Sequence, residues 1–175
     1  MTADPSEGEP IAATPALPAI TIYVDADACP VKDEVYRVAA RYRLKTFVVA
    51  NSFMMVPTSP LIERVVVDAG ADVADDWIAE RAAAGDVVIT NDIPLAGRAL
   101  KAGAAALSPN GRPFTADSIG AALSQRALME HLRSTGEVTG GPKPFDRNDR
   151  ARFLQVLDET INRELRRRRS GQQGR

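Results

Sequence analysis

A single cysteine, Cys29, and a single histidine, His131, leave this chain short of reactive side chains. One thiol cannot close an internal disulfide, so no covalent staple holds the fold, and a thiol-tolerant cytoplasm is the expected setting. Cys29 sits in an apolar turn, where a small buried side chain is the plainer reading than a nucleophile activated by His131. Aromatic residues make up only 5% of the chain, so the core must come from Val, Ile, Leu and Ala. No apolar run approaches the roughly 20 residues of a membrane span, so no membrane partner is expected. Nor is there a strong charge of either sign, the net value being −1. Residues 1–19 hold three of the acids and 166–175 hold five of the arginines, which leaves 17 Lys and Arg against 20 Asp and Glu. The part between is therefore not basic in aggregate, and attraction to nucleic acid must come from local patches or from the arginine-rich end.

What is present suits one α/β domain. A chain of 175 residues, 45% hydrophobic, can bury one good core and not two. Residues 1–19, with Pro5, Pro10, Pro15 and Pro18 among acids, read as a disordered leader. Residues 166–175 read as a basic, disordered tail, and 20–165 as a single domain. Short β-branched runs predict strands at 20–24, 46–49, 64–67 and 87–90, and the apolar stretch 104–107 can form a fifth. Between them the patterns predict helices at 30–43, 77–84 and 94–102, with two more at 117–134 and 147–168. The stretch 53–57 reads as a covering loop leading to a short helical piece. Strands alternating with helices predict a three-layer parallel sheet with helices on both faces, plus C-terminal helices.

The chemistry lies in the acids. Tyr23-Val24-Asp25-Ala26-Asp27 and Val87-Val88-Ile89-Thr90-Asn91-Asp92 are apolar runs that stop on an aspartate, and Asp75-Asp76 follows the Val65-Val66-Val67 run and a linker. In an open parallel sheet such positions gather beyond the carboxyl ends of the strands, where ligands bind. Carboxylates brought together repel unless a cation or a shared proton neutralises them. Asp25, Asp27, Asp76 and Asp92 are therefore candidate ligands for Mg²⁺ or Mn²⁺, with Asp25, Asp92 and Asp76 as the catalytic set. Asp27 and Asp75 rank lower. The competing reading is that Asp27 or Asp92 caps the helix that follows it. Asn51, Ser52, Thr90 and Asn91 share this edge and could position phosphate or satisfy the turns.

A second constellation runs from Gly140 to Arg150. Asp146 with Asp149 predicts a cap on the last helix. Lys143, Arg147 and Arg150 beside it are candidate phosphate contacts, or else a solvated helix start.

Together, Val24-Asp25-Ala26-Asp27-Ala28-Cys29-Pro30, Asp75-Asp76-Trp77-Ile78, Asp92-Ile93-Pro94-Leu95-Ala96 and Pro142-Lys143-Pro144-Phe145 resemble the YaiI/YqxD family of small bacterial proteins, over about residues 20–165. That family is similar to the wider PIN-domain-like nucleases. The resemblance implies a parallel sheet with helices on both sides and an acid cluster binding Mg²⁺ or Mn²⁺. It implies cleavage of nucleic acid, with RNA ahead of DNA as partner. Asp25 matches the first-strand acid and Asp92 the acid after the fourth strand, with Asp76 as an intermediate one. Such nucleases usually place a further acid on a helix after the second strand, where Glu63 is the candidate.

Two other readings stay open. One is a noncatalytic module that binds nucleic acid or protein and keeps the acids as a structural metal site. The other is a phosphatase resembling the haloacid-dehalogenase class, with Asp25 as nucleophile and Asp27 as acid/base. The apolar Phe53-Met54-Met55-Val56 stretch could pair subunits in a homo-oligomer.

Overall fold

Five parallel strands form one sheet in the computed structural model, which describes residues 20–137 and 143–173, the last two by backbone alone. The expected leader, the Gly140-Gly141-Pro142 turn and the final two residues lie outside the described residues. The strands are β1 (Thr21–Asp25), β2 (Lys45–Ala50), β3 (Ile62–Val66), β4 (Val87–Ile89) and β5 (Ala105–Leu107). Helix α1 (Lys32–Tyr42) joins β1 to β2, α2 (Val73–Arg81) joins β3 to β4, and α3 (Ile93–Lys101) joins β4 to β5. Helices α4 (Ala116–Ser134) and α5 (Arg147–Gln173) complete the chain.

The sheet order is β3-β2-β1-β4-β5, and Val24 pairs with Val48 on one side and Ile89 on the other. The chain builds outward from β1 to β3, then returns to lay β4 against the free side of β1. Strand order thus reverses between β1 and β4, which opens a crevice beyond their carboxyl ends.

Both faces are covered, as the apolar runs require. Ile22, Val24, Val48, Val87 and Ile89 face α1 and α5. On α5, Phe153, Leu157 and Ile161 recur every four residues and are fully buried, each stabilising the fold by about 1.5–3 kcal/mol. Tyr23, Val49 and Val88 face the other way, onto Ile78 of α2, Ala82 just past its end, and Leu95, Ala96 and Ala99 of α3. Helix α4 lies outside that second layer and buries none of its side chains. It rests on α3, where Ile119 lies over Gly97. Gly111 turns with φ of 82°, and a Cβ there would stand 2.6 Å from the Phe153 nitrogen. The 108–112 turn is thereby held against the start of α5.

Three elements depart from expectation. Helix α2 begins at Val73, so Asp75 and Asp76 lie in its first turn rather than in a linker. Acids are favoured there because they face the positive end of the helix dipole. No helix forms within 51–61, where Pro57 and Pro60 interrupt the chain. The last helix does not stop before a disordered arginine tail but continues through Arg166–Arg169 to Gln173. Arginine is a good helix former, and Arg168 reaches the Ala84 carbonyl at 3.0 Å, which docks this turn on the body of the domain. No described helix is long and apolar enough to cross a membrane.

Candidate active site

Asp25 is the last residue of β1, half-buried, and its Oδ2 accepts a hydrogen bond from the Thr90 hydroxyl at 2.8 Å. Thr90 follows β4 and is fully buried. The same hydroxyl oxygen accepts the Asp92 backbone N–H at 2.9 Å. One threonine therefore ties together the ends of the two strands that flank the crevice. Asp92 caps α3, its Oδ1 accepting the Leu95 N–H at 2.8 Å. Among the described residues its Oδ2 makes no hydrogen bond, so capping and ligand binding are not exclusive for this side chain.

A third acid, Asp75, lies in the electrostatic field of this pair. Burial pushes the Asp25 carboxyl up, the Thr90 hydrogen bond opposes this, and the charges of Asp27 and Asp92 add to the rise. Asp75 is pushed up to about 6, by burial first and then by Asp92, Asp25 and Asp72, against an opposing pull from Arg98. Asp75 thus shares the field of both edge acids. Asp76 does not take that place. Successive helical residues are turned about 100° apart, and Asp76 instead pairs with Arg98 at 2.6 Å on the surface. Sequence reasoning ranks these neighbours in the opposite order because it reads them as loop.

The other candidates sort as follows. Both carboxylate oxygens of Asp27 accept the Asn51 N–H, at 3.3 and 3.2 Å, which fastens the turn after β1 to the end of β2. Ser52 is exposed, and Asn91 is exposed at the crevice. Thr90 is buried, so its place is behind the acids and not against a phosphate. Lys143 pairs with Asp146 at 2.7 Å. Asp146 and Asp149 exchange hydrogen bonds with each other's backbone N–H at 2.9 and 3.0 Å, the cap expected at this helix start. Arg150 donates to the Pro30 carbonyl and to buried Glu34, each at 3.0 Å, so it serves the fold. Arg147 alone of these three cations is exposed and unpaired among the described residues. Glu63 lies on β3, not on a helix, and pairs with Lys45 at 2.8 Å. Cys29 is buried, and burial pushes its thiol up, away from nucleophilic use.

A wide groove of about 1150 Å³ opens above this edge. Asp25, Asn91 and Asp92 form its floor; Gln125, Arg126, Met129, Glu130 and Arg133 of α4 form a wall. Asp75 lines a smaller hollow of about 380 Å³ next to it, with Asp72, Asp76 and Arg98. Sequence reasoning missed the α4 face. Its signal was the helical spacing of Arg126, Glu130 and Arg133, but nothing in the sequence sets that helix over the acids.

Among the described residues, no group of three His, Cys, Asp or Glu side chains is arranged to hold a metal ion unaided. Mg²⁺ asks for less, commonly taking one or two carboxylates and completing its shell with water and substrate phosphate. Asp25 and Asp92, hard oxygen donors held by one hydroxyl on an open groove, fit that partial set.

Comparison with known proteins places these residues in context. Residues 23–163 match a family profile described as "Uncharacterized BCR, YaiI/YqxD family". A UPF0178 protein of Caulobacter sp. (strain K31) is 68% identical over 140 residues, covering 80% of this chain and 93% of that relative. A UPF0178 protein of Caulobacter vibrioides (strain NA1000 / CB15N) is 65% identical over 141 residues, covering 81% and 92%. One from Bradyrhizobium diazoefficiens is 62% identical over 147 residues, covering 84% and 88%. No solved structure matches.

Proposed function

This chain belongs to the YaiI/YqxD family, and we propose that it is a metal-dependent nuclease whose reaction takes place where β1 and β4 end. The observation that carries this reading is the pair Asp25 and Asp92, fastened to one buried hydroxyl on the floor of an open groove. Two carboxylates at a topological switch point, with a third in their field, favour a divalent cation over any neutral ligand.

Asp25 and Asp92 are the residues that would hold Mg²⁺ or Mn²⁺. Such an ion, when bound, screens charge developing on a phosphodiester and lowers the pKa of coordinated water. The remaining roles belong to the chain. Thr90 fixes the spacing of the two acids by bonding to both strand ends. Asp75, with a carboxyl that titrates near 6, can hold or release a proton close to neutral pH beside the edge. Asn91, whose side chain has no hydrogen-bond partner among the described residues, offers an amide at the groove floor for a substrate oxygen. The phosphatase reading has less support, because Asp27, its acid/base, is already bonded to the Asn51 amide.

Cleavage of end-labelled single-stranded RNA and DNA in Mn²⁺, wild type beside Asp92→Asn, tests the proposal. Asparagine keeps a capping oxygen and removes a repelling charge, so the variant should fold. The expected result is cleavage by wild type alone. Equal cleavage by both overturns the site, and cleavage by neither replaces the enzyme with the noncatalytic binding module.

A further inference from the structure

The groove has two sides of opposite chemistry, and only the acidic side enters the proposal above. On the α4 wall, Arg126 and Arg133 are exposed, line the groove, and have no ion-pair or hydrogen-bond partner among the described residues. They stand seven residues apart, about 10 Å along the helix axis, and face the floor that carries Asp25 and Asp92. Other guanidiniums are spent on the protein: Arg41 on Asp158, Arg98 on Asp76, Arg150 on Glu34 and Arg168 on the Ala84 carbonyl. The described part of the arginine-rich end, which composition favours as a nucleic-acid contact, sits elsewhere. Arg150 marks the sheet edge that carries the acids, through Pro30, whereas Arg168 bonds to Ala84 ahead of β4, at the opposite edge. The two are eighteen residues apart on one helix, a separation of about 27 Å.

We propose that the α4 wall is the phosphate-backbone contact for a single nucleic-acid strand, with Arg126 and Arg133 as its anchoring cations and the terminal arginines uninvolved. This rests on the nuclease reading for what happens to the strand, and on the groove alone for where the strand lies. A single strand suits the charge layout. A duplex carries one negative charge per ~1.7 Å of its axis and is stiff, so it would press phosphates against Asp25 and Asp92 as well as against the arginines. A flexible strand can follow the cationic wall and bring one phosphodiester to the acids. Glu130, between the two arginines on the same wall, is the like charge that moderates the affinity.

The test is fluorescence anisotropy of a labelled oligouridylate in EDTA, across a salt series. Each phosphate of a single strand that a cation neutralises adds about 0.7 to the slope of log K against log salt, so Arg126→Gln with Arg133→Gln should make it shallower by about 1.4. The same pair should weaken binding about tenfold at low salt. Arg126→Lys with Arg133→Lys should retain most of the slope, since a point charge suffices for a phosphate, and Glu130→Gln should bind tighter. Arg166→Gln with Arg169→Gln should bind as wild type does. Wild-type affinity and slope in the glutamine pair, or a loss confined to the tail variant, overturns the proposal. So does tighter binding of a duplex than of the single strand. The Mn²⁺ cleavage assay separates the two claims. Groove-dependent binding without cleavage leaves the wall and removes the nuclease; cleavage with groove-independent binding does the reverse.

Discussion

Thr90 is the residue on which the site most depends, although it touches no solvent. Its hydroxyl gives its proton to Asp25 and takes one from the Asp92 amide, so Thr90→Val removes two hydrogen bonds without a change of shape. A half-buried carboxylate is then left without its donor and a backbone N–H without its acceptor. The expected cost is about 1–3 kcal/mol in urea unfolding. The Asp25 carboxyl, already raised by burial, should rise further, because the Thr90 hydrogen bond is what lowers it; carboxyl chemical shifts followed against pH would show this. An unchanged Asp25 titration would mean the hydroxyl points elsewhere. Asp75 makes a separate statement about pH. Its value in the fold, about 6, lies above the ordinary 3.8, so the folded state favours the protonated form. That contribution is fully present below about pH 4 and is lost as pH rises through about 6. Asp75→Asn should therefore be more stable than wild type at about pH 8 and indistinguishable from it at about pH 4. A constant difference across that range would remove the shared field of the three acids.

Among the elements, α5 carries structure where its sequence suggests binding. Phe153, Leu157 and Ile161 are legible as a helical stripe, and Asp146 with Asp149 as its cap. What sequence could not supply was the partner of Arg150. That side chain lies over the Phe145 ring at 5.2 Å and pairs with Glu34, which is 5% exposed. Glu34 needs the pair, since an isolated buried carboxylate is strongly disfavoured. Arg150→Met should cost about 2 kcal/mol, less than the loss for a fully buried pair because the guanidinium is half exposed. Adding Glu34→Met should recover most of that loss. A double-mutant cycle in guanidinium unfolding measures both, and a single-variant cost near zero would return Arg150 to the candidate phosphate contacts. The start of α2 shows the same ambiguity. Asp75 and Asp76 read as loop residues because they follow a linker after the valine run, yet acids in a first turn also stabilise a helix.

At the scale of the whole molecule, like charges converge at one sheet edge, and a bound cation would relieve them. Mn²⁺ in hundredfold excess over its Kd should add about 2.7 kcal/mol, which for a chain of this size is about 5–10 °C in Tm. Scanning calorimetry with and without the ion reads this independently of any cleavage. The increment should vanish in Asp25→Asn and Asp92→Asn, and should shrink as the solution is acidified, because ligands must be deprotonated to bind. An equal increment in all three proteins would place the ion elsewhere. The exposed side chains of Phe53 and Met55 form the apolar stretch that sequence marked, and Arg64 covers one face of the phenylalanine at 4.1 Å from the ring centre.

The sequence by itself determined the class of fold and the placing of candidate acids at strand ends. β-Branched runs separated by amphipathic segments allow little but a parallel sheet covered on both sides, and Asp25 and Asp92 stand at strand ends whatever the order of the strands. It also carried enough motif to identify the family. Only tertiary structure decided which acids meet. Placing β4 beside β1 brings Thr90 onto Asp25, 65 positions away, and a 100° turn of helix separates Asp75 from Asp76, which pairs with Arg98. It likewise set α4 across the groove and carried Arg168 to the far edge. Periodicity reports which face of an element is apolar. It says nothing of what the polar face will oppose, because that depends on contacts between segments far apart in the chain.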